Sequence, residues 1–148
     1  MSELSHVDES GGVHMVDVGG KPLSHRRATA RATLTMAADT ARRLRELPKG
    51  DALAAAQLAG IMAAKRTAEL IPLCHPLPLS VIEVLVEPAD DSVQITSRVE
   101  TTAQTGVEME ALVAASVAAL TVYDMAKAID KGMRISDVTL VEKTKDPA

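Results

Sequence analysis

Asp124, Lys127 and Lys131 follow one another at intervals of three and four residues, the spacing that stacks side chains on one face of a helix. A lysine beside an aspartate admits two readings. One is a surface ion pair, which contributes only about 0.3–0.5 kcal/mol at helical spacing. The other is an acid–base couple that shuttles protons, with Lys127 and Lys131 also facing an anionic substrate. A second set lies upstream, where Thr105-Gly106-Val107-Glu108 has the spacing of a capping box. Such a cap accounts for Glu108 without chemistry; the competing role is recognition of a donor-rich ligand such as a guanine-like ring. Glu110 falls on a different helical face, so one cap cannot account for both acids. Met109, between them, reads first as a core residue.

The third set is IPLCHPLPLS, residues 71–80, where Cys74 and His75 are framed by Pro72, Pro76 and Pro78. Three prolines fix an extended corner that no helix can cross. They hold His75, whose imidazole titrates near neutrality, in a set orientation. Cys74 is the only cysteine, so no internal disulfide forms and a reducing compartment is expected. Adjacent residues of an extended segment point to opposite sides, which weakens a Cys–His nucleophile. His6, His14 and His25 lack paired ligand spacing, so no metal is expected. Of the scattered cations, Lys65 with Arg66 sits near a helix C-terminus, where the macrodipole already favours positive charge. Lys49 in a Pro-Lys-Gly break and Arg26 at a strand start occupy positions where phosphates are often met. GGKPLS is no phosphate-binding loop, because Met15 and Pro22 stand where its glycine and hydroxyl residue belong.

These residues need a frame. The 148 residues are 47% hydrophobic with one Tyr, Tyr123, and no Trp or Phe, enough for one core built from small side chains, with subunit association as a way to complete burial. A net charge of −4 argues against nucleic-acid binding by bulk electrostatics. No apolar run approaches the roughly 20 residues that span a bilayer, and the opening has no signal-peptide core, so a cytoplasmic protein without membrane contact is expected.

Residues 1–12 are polar and read as a flexible start, with a single domain over 13–148. HMVDV at 14–18 reads as an extended piece before a GGKP turn, and RRATARATLTM from Arg26 alternates as a strand. Asp39 or Thr40 is placed to cap a short helix through Leu47, and Asp51 a longer one that runs to Leu70 before Pro72. SVIEVLVEP and SVQITSRVET form a hairpin. A helix over 107–131 ends at Gly132, and residues 133–143 alternate as a last strand. The order implies an α+β fold, an antiparallel sheet with helices on one face.

Taken in order, HMVDV, AGIMAAKRTAELIPLCHPLPLS, TGVEMEALVAASVAALTVYDMAKA and Lys131 resemble the cyclic pyranopterin monophosphate synthase family, MoaC, of molybdenum-cofactor biosynthesis. The likeness runs from about Leu4 to Lys143. It implies a ferredoxin-like fold and a lyase that converts a cyclised dihydroguanosine triphosphate to cyclic pyranopterin monophosphate with release of diphosphate. It also implies a hexamer, a trimer of dimers, with pockets at subunit interfaces and no obligatory cofactor. By matching motif, Asp124, Lys127 and Lys49 take the catalytic positions. Leu73, Cys74, His75, Glu108 and Met109 take substrate-binding ones, with Arg26 and Lys65 near the polyphosphate; Lys131 and Glu110 are expected beside them. Many relatives have lysine in place of Gln104 and an aromatic in place of Ala68. The rival reading is a non-catalytic oligomerisation or regulatory domain that binds a nucleotide.

Overall fold

The computed structural model describes residues 4–148; of the expected flexible start, residues 1–3 lie outside it. Strands β1 (Ser24–Thr35), β2 (Leu79–Pro88), β3 (Ser92–Ala103) and β4 (Arg134–Pro147) form one antiparallel sheet in the order β2-β3-β1-β4. Helices α1 (Ala38–Arg42), α2 (Ala52–Lys65) and α3 (Thr67–Leu70) lie between β1 and β2, and α4 (Glu108–Ala126) lies between β3 and β4. Helix α2 crosses between β1 and β2, which flank β3, and α4 between β3 and β4, which flank β1; this is the ferredoxin-like βαββαβ arrangement, as expected.

Alternation decides which face meets the helices. Ala28, Ala30, Ala32 and Leu34 of β1 and Val93, Ile95 and Val99 of β3 are fully buried, while Arg27, Thr29, Arg31 and Thr33 fall on the other face by the two-residue period. The alanines are matched on α4, where Ala111, Ala114, Ala115, Ala118 and Ala119 are also fully buried. Small side chains on both partners allow close layers. At Gly60 of α2, an added Cβ would lie 3.0 Å from Val84 and 3.1 Å from the Ala114 carbonyl. Buried hydroxyls find acceptors: Ser97 donates to the Ala111 carbonyl and Thr101 to that of Pro78, each at 2.6 Å.

Several boundaries depart from the sequence reading. Asp39 and Thr40 lie inside α1, whose N-cap is Ala37. The cap comes from afar, because Asp130 accepts from the Ala37 amide and the Thr40 hydroxyl, both at 2.9 Å. Asp51 does cap α2, accepting from the amides of Leu53 and Ala54. The helix breaks at Arg66 rather than running to Leu70; the Thr67 hydroxyl takes the Ala63 carbonyl at 3.1 Å, competing with the backbone ladder. Strand β4 runs on to Pro147, since β1 supplies partners that far. Helix α4 is long and apolar enough to cross a membrane by length and composition, with half of that window buried here, which corrects the expectation that no run approaches that length. It ends at Ala126, five residues short of Lys131, because Asp130 turns aside to take the Ala37 and Gly132 amides.

Candidate active site

Thr105 does not close a capping box. The N-cap of α4 is Val107, without a side-chain hydrogen bond. The Glu108 carboxylate instead folds back over Gly106, where a side chain would have no room, and lies 3.5 Å from the Lys143 ammonium. Glu108 thus serves no cap and pairs with Lys143 instead. It shares a cleft of about 390 Å³ with Met109, Glu110, Leu73, Cys74 and His75. Six expected binding residues from two distant segments thus meet at the entry of α4.

The proline corner has a visible task. His75 Nε2 lies 2.6 Å from the Val16 carbonyl; a carbonyl only accepts, so Nε2 carries the proton and Nδ1 of the neutral ring is the acceptor. This bond holds the 14–18 segment against the cleft, where Val16, Val18 and Lys21 form part of the wall. Gln104 gives a second clip, from its amide to the Gly19 carbonyl at 3.1 Å.

Cations gather around the same entry. Lys65 lines an adjoining cavity of about 150 Å³ together with His75 and Glu110. Arg26 lines another of about 190 Å³ with Glu108, Lys143 and Lys145. Lys143 and Lys145 escaped the sequence reading. Their signal was the two-residue spacing that puts them on one face of β4, opposite Ala28 and Arg26, but the strand was expected to stop at 143. Within the cleft, burial raises the affinity of Glu110 for its proton, opposed by its own amide and reinforced by Glu108. Burial, then Glu110 and Glu108, push the Cys74 thiol up, so Cys74 stays a thiol at neutral pH.

The second set assembles elsewhere. Pro48, Lys49 and Gly50 form a tight turn in which Leu47 and Gly50 exchange backbone hydrogen bonds, and Gly50 takes φ +114°, a conformation suited to glycine. That turn brings the Lys49 ammonium 3.0 Å from one oxygen of Asp124, while the Lys127 ammonium lies 3.0 Å from the other. Lys131 donates to the Lys127 carbonyl at 2.8 Å. Hydrogen bonds from Lys49 and then Lys127 hold the Asp124 carboxyl below its ordinary range, so it remains ionised at neutral pH. The trio is half exposed and fills no core.

Sixteen residues separate Glu108 from Asp124 along α4, about 24 Å at 1.5 Å per residue. One chain therefore carries two clusters, an acid- and histidine-lined cleft at one end of the helix and a lysine–aspartate trio at the other. The MoaC family profile matches residues 15–146.

The chain belongs to the MoaC family.

Relatives are similar over nearly the whole length. The cyclic pyranopterin monophosphate synthase of Thermomicrobium roseum is 57% identical over 147 residues, covering 97% of this chain and 89% of its own. That of Heliobacterium modesticaldum is 57% identical over 148 residues, covering 97% and 93%. That of Streptomyces coelicolor is 55% identical over 143 residues, covering 95% and 84%. Both clusters of this MoaC chain lie inside the matched region.

Proposed function

We propose that the protein is a cyclic pyranopterin monophosphate synthase of molybdenum-cofactor biosynthesis. It is a lyase that takes (8S)-3',8-cyclo-7,8-dihydroguanosine 5'-triphosphate and releases diphosphate. The observation that carries the reading is the grip of Lys49 and Lys127 on the two oxygens of Asp124. A binding module needs cations for a polyphosphate, but not a carboxylate shared between two ammonium groups at hydrogen-bond distance. Rebuilding a purine as a pterin requires protons to be delivered and removed at several atoms. Because Asp124 stays ionised at neutral pH, the acid this trio offers is an ammonium group, and the carboxylate orients it.

The second step closes a cyclic phosphate. An oxygen of the former ribose attacks the α-phosphorus, the bond to the bridging oxygen breaks, and diphosphate leaves with the negative charge. Arg26, Lys65 and Lys131 hold that polyphosphate and stabilise the leaving oxygen, with Lys143 and Lys145 close to Arg26. Glu108 accepts from the N–H groups of the base, and His75 orients it. The two half-sites call for a second chain: in a hexamer built as a trimer of dimers, the cleft of one protomer meets the lysine trio of its neighbour. Residues 13–148 act as one synthase domain working in the cytoplasm.

The test supplies the cyclised nucleotide and follows diphosphate and the pterin product. Turnover by the wild type with loss in Lys127→Ala supports the synthase; binding without turnover in the wild type favours the nucleotide-binding module. Sizing of the native particle checks the assembly, and a monomer that turns over substrate removes the shared-site arrangement.

A further inference from the structure

Glu110 is the most deeply buried acid of the cleft, 4% exposed, yet it lines both the main cleft and the smaller cavity beside Lys65. The hydrogen bond its carboxyl receives comes from its own amide, and among the described residues no ion pair is made with it. An ionised carboxylate so placed is costly unless paired. The charged and titratable groups around it are Glu108, Cys74, His75, His6 and Lys21 on the cleft side, and Lys65 and Glu69 across the smaller cavity. Glu108, in contrast, is a third exposed and reaches Lys143. Two acids two residues apart therefore stand in opposite surroundings.

We propose that Glu110 is a hydrogen-bond donor of the site, offering its O–H to an acceptor oxygen of the bound heterocycle while Glu108 accepts from that heterocycle's N–H groups. This rests on reading the cleft as a site for a guanine-derived ring. Such a ring presents a carbonyl oxygen, a ring N–H and an amino group along one edge. A neutral acid beside a carboxylate matches that acceptor–donor–donor order, whereas two carboxylates would set lone pairs against the carbonyl. The two acids thus select the base, and the lysine trio is left to the chemistry.

The test compares GTP with 6-thio-GTP, which keeps the N–H groups and replaces the carbonyl oxygen by a weakly accepting sulfur, by calorimetry on the full-length assembled protein. Wild type is expected to prefer GTP about tenfold, the worth of one hydrogen bond to a neutral group. Glu110→Gln, which keeps a donor at the same reach, retains the preference, and Glu110→Met, which keeps the bulk, abolishes it. Infrared spectra of the ligand-free protein show a protonated-carboxyl C=O band in wild type that is missing from Glu110→Gln. A preference that survives in Glu110→Met, no binding of either nucleotide, a loss beyond tenfold in Glu110→Gln, or absence of the band overturns the proposal. Diphosphate release from the cyclised substrate is scored separately. A wild type with the expected preference but no turnover sinks the synthase reading and leaves the donor standing.

Discussion

Lys49 and Lys127 hold Asp124 from opposite oxygens, each ammonium nitrogen 3.0 Å from its own carboxylate oxygen. The contact joins a turn before α2 to the far end of α4. Because all three side chains are about half exposed, the arrangement adds little to stability.

Lys49→Ala, Lys127→Ala and Asp124→Asn are accordingly expected to lower diphosphate release by about 100-fold or more while leaving thermal melting nearly unchanged. Lys127→Arg should not rescue, since a guanidinium does not give up its proton. Steady-state assays beside melting curves decide; activity lost only in step with stability would return the trio to a surface salt bridge.

Separation of the half-sites by about 24 Å of helix makes complementation a direct measurement. A His75→Ala chain and a Lys127→Ala chain, each inactive alone, are co-refolded at equal ratio. About a quarter of the interfaces then combine two intact halves by random pairing, and about a quarter of wild-type activity should return. No recovery in verified mixed particles would mean that each chain completes its own site.

Asp130 ties the start of α1 to the turn beyond α4. The Ala37 amide, then the Gly132 amide and the Thr40 hydroxyl, lower its pKa against the effect of burial. A folded-state pKa depressed below the ordinary value near 3.9 gives stability that is fully present above that pH and lost as pH falls through the folded value. Asp130→Ala should cost about 1 kcal/mol at pH 7, the scale of a helix cap, and the difference from wild type should shrink below about pH 4. Urea melts at both pH values check it, and a pH-independent difference would remove the carboxylate from the account.

Gly60→Ala tests the close layers. Helix propensity alone favours alanine by about 1 kcal/mol. The new Cβ would press on Val84 at 3.0 Å and on the Ala114 carbonyl at 3.1 Å, and overpacking typically costs about 1–3 kcal/mol. A net loss is expected, with Val84→Ala less harmful in the Gly60→Ala background than alone. A stabilised variant would show that the layers part easily.

Strand alternation, the Asp51 cap and the proline corner were legible because each is a local rule with one physical cause. The α1 cap was not, since its donor groups meet Asp130, ninety residues away, and no spacing rule reaches that far. Thr105 and Glu108 satisfied the capping-box spacing, yet the helix begins two residues later than the box requires and Val107 takes the cap position. Motif resemblance named the site residues; their division between two ends of α4 followed only once the helix had a length. Lys145 was hidden by a strand end that depends on how far β1 offers partners, and without it Lys143 stood alone at the end of the expected strand.

Tyr123 is the chain's single phenol, in a protein without Trp or Phe, and its carbonyl accepts from the Lys127 amide one turn on. Ultraviolet emission from the whole polypeptide thus originates at one address beside Asp124. The protein carries its own optical gauge there, and a polyanion settling among the lysines would be seen without attaching a dye.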